Sequence, residues 1–204
     1  MKIICIGRNY IDHAKELNNP IPEQPVFFLK PETALIPKKM PFFIPDFSNE
    51  VHYEVELVVK INRLGKHIEE RFAHKYYQEI GLGIDFTARD QQQRCKKKGL
   101  PWEVAKAFDH SAPVGHTFLN KTSFADMNNI SFSLQKNGSI VQQGNSKDMI
   151  FNVDQIIAYV SQFMTLKIGD LIFTGTPAGV GKVAIGDQLI GKINGHELLK
   201  VNVK

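Results

Sequence analysis

Cysteine is scarce: Cys5 and Cys95 stand alone in 204 residues, with no C-x-x-C pair and no Cys/His spacing around them. That removes a zinc site and a disulfide framework, and both thiols are expected to be reduced. No segment is long and apolar enough to span a bilayer, and Arg8 interrupts the short apolar run of "MKIICIGRNY" before it reaches signal-peptide length. A cytoplasmic address without a membrane partner is the expectation. The nucleotide-binding glycine patterns are missing as well. In "DLIFTGTPAGVGKV" the glycines before Lys182 are wrongly spaced for a Walker loop, and Val183 replaces the required Ser or Thr. "GLGIDF" lacks the third glycine of a dinucleotide fingerprint. The only dense basic run is "RCKKKG", Arg94 to Gly99, without a recognition helix, zinc finger or aromatic ladder beside it. Cations favour a helix C-terminus, so this run reads as a solvated helix end, and no nucleic-acid partner is expected.

What is present is the composition of a globular protein, 43% hydrophobic, with a formal charge of +4 that suits a small anionic substrate. A chain of this length buries roughly 70% of its unfolded surface as one domain. "KIICIG" reads as a strand and "YIDHAKEL" as a short helix. Pro20 to Pro45 holds seven of the ten prolines, which forbids long helices and central strands, yet its phenylalanines should pack it on the core as loops and short strands. A strand over Val51 to Ile61, a helical region around Glu69 to Gln78, a buried strand "IGLGIDF" and a helix from about Ala88 to Lys98 follow. "ISFSLQKNGSIVQQG" and "QLIGKINGHELLKVNV" place Asn-Gly between alternating segments, the mark of hairpins. "VDQIIAYVSQFM" between them has amphipathic-helix spacing. With no internal repeat, no domain boundary and no βαβ rhythm, residues 1–204 read as a single β-rich α+β domain.

The chemistry centres on "EVHYEVELVVKIN". As a strand it places Val51, Tyr53, Val55, Leu57, Val59 and Ile61 on one face, and His52, Glu54, Glu56, Val58 and Lys60 on the other. Glu54 and Glu56 then point together roughly 6.5 to 7 Å apart. Their repulsion is about 2 kcal/mol at an effective dielectric of 20, so the pair asks for a cation. On pattern alone a wet surface face is the simpler account. Asp85 ends the apolar run "EIGLGID", where a carboxylate must be paired, hydrogen-bonded or metal-bound. Thr87 and Asp90 have the spacing of a capping box, and a helix starting there puts Arg89 and Gln92 on one face near Asp85. Three carboxylates without thiolates select a hard cation, Mg²⁺ or Mn²⁺. Lys106 in "WEVAKAFDH" is either snorkelling to solvent or aimed at an anion. Thr176, in the Gly-rich loop, offers a hydroxyl that can hold a carboxylate.

These pieces, in this order, resemble the fumarylacetoacetate hydrolase superfamily across essentially the whole chain. The blocks are "GRNYIDHAKEL", "PVFFLKP", "HYEVELVV", "IDFTARDQQQ", "KKKGLPWEVAKAFD", "SKDMIF" and "GDLIFTGTPAGVG". Within it the chain is similar to the small single-domain acylpyruvase and oxaloacetate decarboxylase-like members. The resemblance implies a mixed β-sandwich roll, usually a homodimer, with Mg²⁺ or Mn²⁺ held by Glu54, Glu56 and Asp85. It implies Lys106 as a catalytic group, substrate contacts from Arg89, Gln92 and Thr176, and His13 with Glu16 as a general-base dyad. The implied substrate is a small anionic 2-oxo acid. Hydrolysis of an acylpyruvate through a pyruvate enolate is the first expectation, with oxaloacetate decarboxylation beside it and isomerisation of hydroxydienedioates as the alternative. A non-catalytic protein stabilised by its cation is the alternative of another class.

Overall fold

The computed structural model describes residues 1–16, 20–38 and 40–204. Leu17, the last residue of the expected first helix, lies outside them. The N-terminal third supplies β1 (Ile3–Gly7), α1 (Ile11–Glu16), β2 (Val26–Lys30), β3 (Val51–Tyr53) and β4 (Val55–Ile61). The middle supplies α2 (Glu70–Ala73), β5 (Tyr77–Ile84), β6 (Thr87–Ala88), α3 (Arg89–Lys98), α4 (Glu103–Lys106) and β7 (Leu119–Asn120). Then follow β8 (Ser131–Lys136), β9 (Ser139–Asn145), α5 (Val153–Phe163), β10 (Leu171–Phe173), β11 (Gly181–Lys182), β12 (Gln188–Ile193) and β13 (His196–Asn202). Strands dominate, as expected, in a mixed β-sandwich roll.

A six-stranded sheet has the order β2-β1-β10-β4-β5-β7, with β1 and β10 parallel and the other pairs antiparallel. A four-stranded sheet, β13-β12-β8-β9, is built from the two expected hairpins. Their turns carry Asn137-Gly138 and Asn194-Gly195 with all four residues at positive φ, the conformation that twists a two-residue hairpin correctly. Leu57 and Leu82 of the first sheet pack with Phe132, Leu134, Leu189 and Leu199 of the second, and Ile156, Ile157 and Val160 of α5 close the same core. Val51, Tyr53, Val55, Leu57, Val59 and Ile61, the expected apolar face of "EVHYEVELVVKIN", all lie in it.

The expected strand Val51 to Ile61 is broken at Glu54. Its first part pairs with β6 and β11, and its second with β5 and β10, so Glu54 sits where the chain passes from the small sheet to the large one. The face opposite the main core is dry at its centre: Glu54 and Glu56 are buried, and Val58 packs with Cys5 and Phe173 in a second, smaller core. Gly83 lies across from Glu56, and a Cβ there would come within 2.5 Å of the Phe173 ring. The expected helix over Glu69 to Gln78 is a single turn, because the chain enters β5 at Tyr77, which is buried in the core as a strand residue paired with Ile61. The Thr87/Asp90 capping box does not form. Ala88 is the N-cap, the Asp90 carboxylate instead accepts from Ser48 Oγ and Asn49 N, and Thr87 Oγ1 faces Lys106.

Candidate active site

The sheet register brings the three carboxylates together. β4 and β5 pair with Val55 opposite Ile84, and one step further Asp85 N donates to Glu54 O at 2.8 Å, making those two residues cross-strand neighbours. Glu56 lies two residues along the same face. One carboxylate oxygen from each of Glu54, Glu56 and Asp85 falls within 4.8 Å of the others, and all three side chains are buried.

Cations surround this triad. Lys106 Nζ, held by the short α4, donates to Glu54 Oε2 at 2.9 Å, Asp85 Oδ2 at 2.6 Å and Thr87 Oγ1 at 2.5 Å, with the Phe28 ring centroid 5.2 Å away. Lys106 is 3% exposed, which excludes the snorkelling reading. Arg89 pairs with Glu54, donates to Gln92 Oε1 at 2.6 Å and reaches His52 Nδ1 at 3.4 Å. Lys30, fully buried, lies 2.8 Å from Asp85 Oδ1, off the direction of a hydrogen bond, and donates to Ser111 Oγ and to backbone carbonyls. Glu56 Oε2 accepts from Gly175 N at 2.6 Å. Gly175 has φ +100°, and a Cβ there would sit 2.7 Å from Asn9 Cβ, so glycine is needed for this approach. His13 Nδ1 is 3.2 Å from Glu16 Oε2, and Gly179 N donates to the same carboxylate at 3.1 Å, clamping α1 onto the Gly-rich loop. A narrow cleft of about 30 Å³ is lined by His13, Glu54, Glu56, Asp85, Arg89, Gln92, Lys106 and Thr176, and also by Arg8, Phe28, Lys96 and Trp102.

The profile of the fumarylacetoacetate (FAA) hydrolase C-terminal domain matches residues 2–202. The chain belongs to the fumarylacetoacetate hydrolase family. It is an enzyme of that family rather than a passive cation-stabilised binder. Oxaloacetate tautomerase YcgM of Escherichia coli (strain K12) is 44% identical over 198 residues, covering 97% of this chain and 90% of the relative. A mitochondrial oxaloacetate decarboxylase of Dictyostelium discoideum is 44% identical over 195 residues, 95% and 89% of the two chains. The crystal structure of fumarylpyruvate hydrolase from Pseudomonas aeruginosa, in complex with Mn²⁺ and pyruvate, superposes with a TM-score of 0.92 at 37% identity, covering 100% of this chain and 89% of that one.

The electrostatics of this hydrolase-family site fit a divalent cation. Burial pushes Glu54 up, but Lys106 and Arg89 outweigh it and hold the carboxyl well below its usual range. Glu56 is pushed up by burial and then by the charges of Asp85 and Glu54, which Gly175 N–H and Lys106 do not offset. For Lys106 burial disfavours the ammonium, and Asp85 with Glu54 more than restores it. The triad therefore has a carboxylate short of positive charge. Its donors are all oxygen, the set that hard divalent cations take.

All nine residues singled out from the sequence line the cleft or, for Glu16, touch a residue that does. Arg89 is engaged with Glu54 and Gln92, and Thr176 Oγ1 accepts from Gln142 Nε2 at 2.9 Å. His52 stands behind Arg89 and bonds Glu50, outside the carboxylate cluster. Sequence reasoning missed Lys30, Arg8, Lys96 and Gln142. Lys30 sits inside the "PVFFLKP" block, where a lysine on a β-strand gave no sign of the Asp85 it would meet 55 positions later. Gln142 ties Val55 N, Thr176 and Pro177 O together from a hairpin strand, and its place in an alternating segment carries no mark of that.

Proposed function

We propose that this enzyme interconverts the keto and enol forms of oxaloacetate and similar 2-oxo acids, with a divalent cation held by Glu54, Glu56 and Asp85. The observation that carries this reading is the meeting, in one cleft, of that triad, the Lys106 ammonium and the His13–Glu16 pair. When bound, the cation supplies Lewis acidity toward the 2-oxo oxygen, a role open to Mg²⁺ and Mn²⁺ alike. Lys106 keeps its proton against burial and presents a fixed positive charge to the oxygen on which negative charge gathers. Glu16 accepts the Nδ1 proton of His13, which leaves the lone pair on Nε2. His13 Nε2 takes a proton from C3, the C–H electron pair becomes the C2–C3 double bond, and the 2-oxo oxygen takes the charge and then a proton from water, to which Nε2 releases the one it took. In the reverse direction Nε2 returns the proton to C3. Phe28 and Trp102 keep one wall of the cleft apolar.

The similarity to two oxaloacetate enzymes moves tautomerisation ahead of the hydrolysis expected from the sequence. Acylpyruvate hydrolysis is the second reading. It is favoured by the likeness to fumarylpyruvate hydrolase, and the same His13 Nε2 would take its proton from water. Decarboxylation of oxaloacetate shares the enolate. The proposal retains a homodimer and a cytoplasmic address, as implied by the family resemblance and the sequence.

The test follows oxaloacetate enol absorbance, together with pyruvate release from oxaloacetate and acetylpyruvate, in Mg²⁺ or EDTA. Glu54→Ala serves as the control. Metal-dependent enol conversion that outruns both pyruvate-releasing reactions and is lost in Glu54→Ala is the expected result. Acetylpyruvate cleavage as the fastest reaction would make the protein a hydrolase, and inactivity in all assays with metal bound would overturn the proposal.

A further inference from the structure

The cleft has a second positive end that the carboxylate triad does not neutralise. Arg8, just after β1, has φ 60°, a left-handed conformation that costs a non-glycine residue about 1 kcal/mol or more. Its neighbour Asn9 enforces that turn: the side-chain amide donates to Phe151 O at 2.9 Å and Thr174 O at 2.7 Å, and its oxygen accepts from Phe151 N at 2.8 Å. The Arg8 side chain lines the cleft, and its Nε is buried with no hydrogen-bond partner among the described residues. Lys96 enters the same cleft from α3, with Nζ 5.6 Å from the Trp102 ring centroid. Partial burial, then the charges of Arg8 and Arg89, hold its ammonium below the usual range against the opposing pull of Glu54, so the two cations feel one another. Among the described residues, the cleft carboxylates pair with Arg89, Lys106 and Lys30, and none pairs with Arg8 or Lys96. Like charges facing one cleft, with no carboxylate paired to either, are a cost that a bound anion reverses.

We infer that Arg8 and Lys96 form a carboxylate subsite that takes the distal carboxylate of a 2-oxo dicarboxylate and so selects it over a monocarboxylate. The inference rests on the 2-oxo acid reading of the adjoining site. The guanidinium fork offers two parallel donors to a carboxylate, and Lys96 adds a point charge. The triad's cation and Lys106 take the 2-oxo acid end; Arg8 and Lys96 take the other.

Two stable 2-hydroxy acids, malate and 2-hydroxybutanoate, differ in the distal carboxylate and report the subsite without turnover. Calorimetric titration of the Mg²⁺-saturated protein should show malate preferred by about ten-fold or more, the worth of one charge-assisted contact. Arg8→Gln and Lys96→Gln should each weaken malate at least five-fold more than 2-hydroxybutanoate. Lys96 is on the outer part of α3, so its variant keeps the test valid if Arg8→Gln fails to fold. Equal weakening of both ligands in both variants, or no malate preference in the unaltered protein, would overturn the subsite. A malate preference that both variants abolish, in a protein inert toward oxaloacetate, would sink the proposed reaction and uphold the subsite.

Discussion

Lys106 is one ammonium facing two carboxylates, a hydroxyl and an aromatic ring, drawn from three separate stretches of the chain: Phe28, Glu54, and Asp85 with Thr87. Removing it leaves Glu54 and Asp85 with buried charge that Arg89 and Lys30 only partly offset. A bound divalent cation compensates the same charge. Lys106→Met should therefore lower kcat in Mg²⁺ by about 10²–10³-fold, the usual cost of one oxyanion-stabilising donor. Its loss of Tm should be larger in EDTA than in Mg²⁺. A variant with unchanged kcat would remove Lys106 from the chemistry. Glu54 and Glu56 were legible because a strand's period of two forces them onto one face, and Asp85 because it ends an apolar run. The roles of Lys106 and Lys30 were not legible from local pattern, since a lysine among small apolar residues looks the same whether its amine reaches water or a carboxylate 21 or 55 positions away.

At the scale of elements, the hairpins followed from two Asn-Gly turns, and α5 from its apolar spacing. The break at Glu54 did not, because alternation continues through it and only the change of pairing partners shows it. The Thr87/Asp90 pair failed as a capping box because both side chains found tertiary partners. A local pattern states what a side chain can do, and a better partner elsewhere decides what it does. Asp187 shows the reverse, a loop acid with no sequence signature that joins two hairpins. Its carboxylate accepts from Ala184 N at 2.8 Å and Asn137 Nδ2 at 2.7 Å, with Lys136 Nζ at 3.7 Å. Burial raises its carboxyl, and these partners outweigh that and hold it below the usual carboxylate range. A depressed folded value means stability that is present above the unfolded value and is lost as pH falls through the folded one. Asp187→Asn should thus cost about 1–2 kcal/mol at pH 7, a Tm loss of about 2–8 °C for a chain of this size. The gap between the two proteins should narrow below about pH 4. A gap independent of pH, in paired melting curves, would mean that packing rather than the carboxylate charge is responsible.

Across the whole molecule the metal-binding candidates sit between two apolar cores, the larger on one face of β4 and the smaller, with Val58, Cys5 and Phe173, on the other. Nothing short of the folded sheet brings residues 54, 56 and 85 within 4.8 Å, because Asp85 reaches Glu54 only through the β4–β5 pairing. The unfolded chain therefore lacks the site, and cation binding adds to folding stability in full. At a free Mg²⁺ concentration 100 times Kd the gain is about 2.7 kcal/mol, a Tm rise of about 5–10 °C over the EDTA-treated protein. Glu56→Gln is the variant that separates this linkage from general ionic effects. It removes one of the three carboxylates while leaving an amide oxygen able to accept from Gly175 N. Its Mg²⁺-induced rise should shrink to less than half that of the unaltered protein, and its Tm in EDTA should hold or increase, because one buried carboxylate beside Glu54 and Asp85 is gone. An equal rise in both proteins would place the cation elsewhere, and with it the Lewis acid that the proposed reaction requires.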